Sequence, residues 1–62
     1  MNKVLYKIGD RFTIVGIEYS IIKMIDAPEP AYIVQNCRFP NLKMALTQTE
    51  LIEVGTNFQT AL

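Results

Sequence analysis

The chain has 62 residues, enough for one domain, and a domain this small buries only about 60% of the surface its unfolded chain exposes. It contains no His and a single Cys, Cys37, which excludes an internal disulfide, a zinc site and the commonest catalytic base. Its 6 basic and 6 acidic residues cancel, whereas nucleic-acid binders usually carry a basic excess.

Residues 2–8 place Val4, Tyr6 and Ile8 on one parity. They are expected as an edge strand or as a strap across the end of a barrel. Gly9 and Asp10 mark a turn, since Gly tolerates positive φ and Asp bonds its own backbone. Residues 11–15 read as a strand with Phe12 and Ile14 inward, and Gly16 supplies the positive φ of a tight hairpin. The longest stretch of alternation follows, over residues 17–26. Ile17, Tyr19 and Ile21 alternate, then the phase slips to Ile22 and Met24. Ten extended residues span ~33 Å, while the whole domain should measure only roughly 27 Å across. The strand should therefore bend, and the slip predicts a β-bulge at Ile21–Ile22 that returns both halves to one core.

Pro28 and Pro30 stop that strand, because proline cannot donate to a ladder. The loop they stiffen is either a rim recognition loop or a plain connector. Residues 31–37 read as the next strand and 38–41 as a turn. Phe39 is unusual at a turn. Its expected place is folded back over the core, with an exposed binding anchor as the other reading. Residues 42–46 form a strand with Leu42, Met44 and Leu46 on one face and Lys43 and Ala45 on the other. Thr47 and Glu50 have the spacing of a capping box, which predicts one helical turn over 48–51 before a short last strand at 52–54. Gly55 ends that strand. The tail, 55–62, should fray unless Phe58 and Leu62 dock. The expected core is Phe12, Ile14, Ile17, Tyr19, Ile22, Val34, Met44, Leu46, Leu51 and Val54.

This order resembles the SH3-like small β-barrels over roughly residues 8–54. The residues that carry the likeness are Gly9, Asp10, Arg11 and Phe12 leading into the first strand, Gly16 at the hairpin and Tyr19 in the bent strand. Tyr32, Ile33 and Val34, then Thr47 to Leu51 before the last strand, complete it. The resemblance implies a mostly β, five-stranded barrel with one short helical turn before the last strand, and it reaches the architecture alone. The chain has no Trp, so the proline-rich ligand grip of peptide-binding SH3 domains is not expected. It also lacks the charge and glycine of the ribosomal type. The pore strand of the plasmid-borne dihydrofolate reductase built from such barrels is not matched by residues 42–46, so its activity is not carried over.

Chemistry points the same way. Cys37 has no base beside it and reads as a small core hydrophobe. The acids sit mostly at turns and caps, and three isolated glycines cannot build a phosphate loop. No enzyme, cofactor or metal is expected. Tyr6, Tyr19 and Tyr32, rimmed by Arg11, Lys23, Arg38 and Lys43, would suit stacking on nucleic acid, but the favoured reading makes Tyr19 and Tyr32 core residues with wet hydroxyls. The favoured reading is a non-catalytic protein-binding module, acting as an adaptor or inhibitor of a larger partner or by self-association. A nucleic-acid-binding barrel is the alternative. The apolar half of the composition and open strand edges argue against a free monomer. The expected contact residues are Phe39, Leu42, Lys43, Ala45 and Phe58. No signal peptide or apolar run near the ~20 residues of a membrane span is visible, and a lone Cys suits the cytoplasm.

Overall fold

The computed structural model describes residues 3–61. Asn2 and Leu62, which the expectations for the two ends of the chain include, lie outside them. Five antiparallel strands and one short helix follow in the order β1 (Arg11–Ile14), β2 (Ile17–Ile25), β3 (Ala31–Asn36), β4 (Lys43–Thr47), α1 (Gln48–Val54) and β5 (Thr56–Gln59). The strands form one sheet in the order β4-β3-β2-β1-β5. Its inner, concave face holds a single core, and the molecule has a radius of gyration of 10.7 Å, but the sheet does not close: β4 and β5 remain its two edges.

The β1–β2 hairpin turns on two residues between the Ile14–Ile17 pair. Val15 and Gly16 both take positive φ, 49° and 79°, as the tightest hairpin turn requires. β2 then runs along β1 as far as Ser20 and along β3 for most of its length. The bulge is where the phase slip predicts it. Ile21 pairs with Val34 and Lys23 with Ile33, leaving Ile22 as the extra residue. On the other side of β2, Ile21 exchanges backbone hydrogen bonds with Gly9 and Asp10 at 2.8 and 2.9 Å. The bulge sets Met24, opposite Tyr32, on the concave face in place of Lys23.

The core is Phe12, Ile21, Tyr32, Val34 and Leu51, with Tyr6, Ile14, Tyr19 and Leu46 packed against it. This corrects the expected list. Ile17, Ile22, Met44 and Val54 are 47, 36, 36 and 43% exposed. Ile17 and Met44 share the concave face with core residues, but an open sheet has nothing to cover its rims. Ile22 is the bulged residue. Val54 lies on α1, which also corrects the expected last strand at 52–54. The capping box forms as expected, with Thr47 accepting from Glu50 N–H and Glu50 from Thr47 N–H. The helix then runs seven residues, because buried Gln48 and Leu51 anchor its inner side while β-favouring Ile52 and Val54 face solvent. The last strand is instead cut from the expected tail.

Residues 3–8 act as a strap. Gln48 Oε1 accepts from Leu5 N–H at 3.0 Å and from the Tyr32 hydroxyl at 2.5 Å. Its Nε2 donates to the Lys3 carbonyl at 2.7 Å. Glu29 accepts from Thr49 N–H and from the Thr49 hydroxyl, so the Pro-rich loop is tied to the start of α1. Among the described residues no buried side-chain polar atom lacks a partner.

Candidate functional site

The contact residues expected from the sequence fall into two places. Phe39, Leu42, Lys43 and Ala45 lie together on the β3–β4 turn and β4, and Phe58 lies on β5 at the opposite edge.

Asn36 organises the first place. It is the last residue of β3 and is buried, paired across the sheet with Tyr19. Its Oδ1 accepts from the backbone N–H of Arg38 at 2.8 Å and of Phe39 at 2.9 Å. Asn readily folds the chain back in this way. Asn36 N–H donates to the Leu42 carbonyl and Leu42 N–H to the Phe39 carbonyl, both at 2.9 Å. Cys37 N–H donates to the Glu18 carbonyl at 3.1 Å. With its backbone so engaged, the turn projects its side chains into solvent. Phe39 is 54% and Leu42 57% exposed, so Phe39 is not the lid over the core that was expected. The Arg38 guanidinium lies 5.5 Å from the centre of the Phe39 ring.

Two clefts meet at Asn36. One, of about 350 Å³, runs between Gly16, Ile17 and Glu18 on the hairpin side and Cys37, Arg38 and Phe39 on the turn. The other, of about 200 Å³, is bordered by Tyr19, Asn41, Leu42, Lys43 and Met44. Val15, the chain neighbour of Gly16, is 93% exposed. The sequence reading missed Val15, Ile17 and Asn36. A signal existed for two of them: a Val stands where a tight hairpin ordinarily takes Asn, and an Asn opens a turn three residues before an exposed aromatic.

Cys37 is exposed, against the expectation that it belongs to the core. Partial burial pushes its thiol pKa up, the Glu18 carboxylate pushes it further, and the Arg11 guanidinium pulls it partly back. The thiol therefore rests protonated, a weak nucleophile. Arg11 and Glu18 face each other at 3.7 Å on the surface, where such a pair is worth little.

Phe58 stacks on Tyr6 at 4.8 Å and on Phe12 at 5.6 Å between ring centres. Gly55 makes room for it: a Cβ there would stand 2.5 Å from the Phe58 ring. Phe58 and Tyr6 also line a cleft of about 450 Å³ between the strap and β5. Burial, then Tyr32, raises the Tyr6 pKa. The three tyrosines do not form an outer stacking surface. Tyr32 is fully buried, and Tyr6 and Tyr19 pack against the core.

Comparison with protein-family models, with curated proteins and with solved structures finds no match. No helix among the described residues is long and apolar enough to cross a membrane.

Proposed function

We propose that the chain is a non-catalytic protein-binding module of the cytoplasm, an adaptor or inhibitor that grips a larger partner through the surface around Asn36. The strand order β4-β3-β2-β1-β5 with a helix before the last strand supports reading it as an SH3-like small barrel left open at one seam. The observation that carries the function is that Val15, Ile17, Phe39 and Leu42, all exposed, lie at one end of the sheet, at the β1–β2 hairpin end and on the β3–β4 turn. Apolar side chains concentrated on rigid turns serve contact better than they serve folding. Val15 supports this most directly, since its side chain does nothing for the fold that holds it in strain.

The test is capture of partners from a lysate of the source cell by the wild type and by Phe39→Asp and Leu42→Asp. Leu5→Asp, an exposed apolar site on the strap, is the control. Partners bound specifically should fall at least about tenfold with either turn variant, the loss expected when an interface anchor worth more than ~1.4 kcal/mol is removed. Equal recovery from all four proteins would refute the surface. A nucleic-acid reading keeps one observation in its favour: Arg38 lies over the Phe39 ring, and Lys43 borders the neighbouring cleft. It requires that a labelled single-stranded oligonucleotide bind with a steep loss on adding salt.

A further inference from the structure

The geometry points to a second interaction surface, the free edge of β4, which pairs with β4 of another copy of this chain in an antiparallel ladder centred on Ala45. Among the described residues β4 ends the sheet and has β3 as its one neighbour. The ladder between them shows which groups are unused. Asn36 N–H donates to the Leu42 carbonyl and Gln48 N–H to the Pro30 carbonyl. In the same register, Met44 lies opposite Val34 and Leu46 opposite Tyr32, so these are the hydrogen-bonded positions. Lys43, Ala45 and Thr47 fall between them and aim their N–H and C=O groups away from β3. Lys43, Met44 and Ala45 are exposed. The strand contains no proline and no bulge of the kind that protects an edge from pairing.

The pattern along the strand says what fits there. Antiparallel pairing about Ala45 sets it opposite Ala45 of the partner subunit and Lys43 opposite Thr47 of the partner subunit. On the concave face it sets Met44 opposite Leu46 of the partner subunit, at the close-approach positions of the new ladder. Apolar meets apolar, small meets small, and the strand's one charge meets a hydroxyl. Thr47 N–H is already given to Glu50 Oε1 at 2.9 Å, so the ladder rests on the two Ala45 residues and on each Lys43 N–H reaching the Thr47 carbonyl across the axis. With no net charge, two copies do not repel. Phe39, Arg38 and Ile17 stay outside the contact, which meets the surface around Asn36 only through Lys43 and Met44 on the border of its smaller cleft. An edge contact of this size falls short of the roughly 800 Å² per partner of a stable interface. Dissociation is expected on the order of 10–100 µM.

The experiment is sedimentation velocity from about 5 to about 500 µM, bracketing that range, on the wild type, Ala45→Lys, Ala45→Glu and an equimolar mixture of the two variants. Ala45 is exposed on the convex face, so both variants should keep the wild-type circular dichroism. A synthetic chain carrying an N-methyl group on Ala45 deletes the outward donor without touching the β3 ladder, and it replaces any variant that unfolds. The expected result is a wild-type dimer, at least tenfold weaker with Lys, Glu or N-methyl at position 45, and restored in the mixture, where opposite charges face each other. A wild type that stays monomeric throughout, or substituted chains that dimerise as tightly as the wild type, would overturn the proposal.

Discussion

Val15 shows how one residue can be at odds with its surroundings. A β-branched side chain sits at φ 49° with 93% of it in solvent. Left-handed backbone costs an ordinary L-residue about 1–2 kcal/mol, and no contact inside the molecule returns it. Val15→Asn should therefore raise stability by about 1 kcal/mol, since Asn tolerates this geometry. For so small a domain the thermal midpoint should rise by about 4–8 °C. If Val15 serves the surface around Asn36, the same variant captures less partner while melting later. Cys37 is a second residue-scale case. Its raised thiol pKa owes part of the shift to Glu18, and Arg11 opposes it. Iodoacetamide should label Cys37 more slowly than free cysteine at mildly alkaline pH. Glu18→Gln lowers the pKa and speeds labelling; Arg11→Gln raises it and slows labelling, both read by mass spectrometry.

At the scale of the element, the β2 bulge decides which of two neighbouring isoleucines matters. Ile21 is 1% exposed and Ile22 36%. Ile21→Ala should cost ~2–5 kcal/mol in urea unfolding, as for other large-to-small core changes. Ile22→Ala should cost less than ~1 kcal/mol. Equal effects would show the bulge displaced by one residue. The α1–β5 connection makes a second contrast. Gly55 has an ordinary extended backbone, φ −80°, so conformational freedom is not why Gly stands there. A Cβ would meet the Phe58 ring at 2.5 Å and the Leu51 carbonyl at 2.8 Å. Gly55→Ala should therefore displace Phe58 from Tyr6 and Phe12. Loss of ring-current shifts at these rings in proton NMR, with destabilisation of about 1–3 kcal/mol as for overpacking, is the expected outcome.

At the scale of the whole molecule, two buried polar residues hold both ends of the chain to the sheet. The Asp10 carboxylate accepts from Lys7 N–H at 3.0 Å and from Ala61 N–H at 2.9 Å. Gln48 joins the strap, Tyr32 and the first turn of α1. In an open sheet with so small a core, these links substitute for a closing strand pair. Gln48→Leu keeps the bulk but leaves the Tyr32 hydroxyl and the Lys3 carbonyl without their partner. It should cost about 3 kcal/mol, the range for stranding a buried polar group and losing its hydrogen bonds. Amide exchange at Leu5 should quicken well before exchange at Val34. An unchanged Leu5 exchange rate would mean that the strap is held by other contacts.

What the sequence determined by itself was local. The hairpin at Gly16, the bulge at Ile21–Ile22 and the capping box at Thr47 and Glu50 each depend on a few neighbouring residues, and each formed where its pattern stood. Turn chemistry, the period of alternation and cap spacing act within a few residues, so no distant partner is needed to read them. The tertiary structure decided which apolar residues the core would take. Tyr32 is interior because Gln48, 16 positions away, accepts a hydrogen bond from its hydroxyl. Ile17 and Met44 have the right face but stand at rims the open sheet cannot cover. Phe58 turned a patternless tail into β5 by stacking on Tyr6 and Phe12. The candidate site divides in the same way. Phe39, Leu42 and Lys43 were visible as an unusual turn and strand. Their union with Val15 and Ile17 around Asn36 came only when antiparallel pairing of β2 with β3 set the hairpin end of β2 beside the end of β3, a pairing of distant residues that no local pattern encodes.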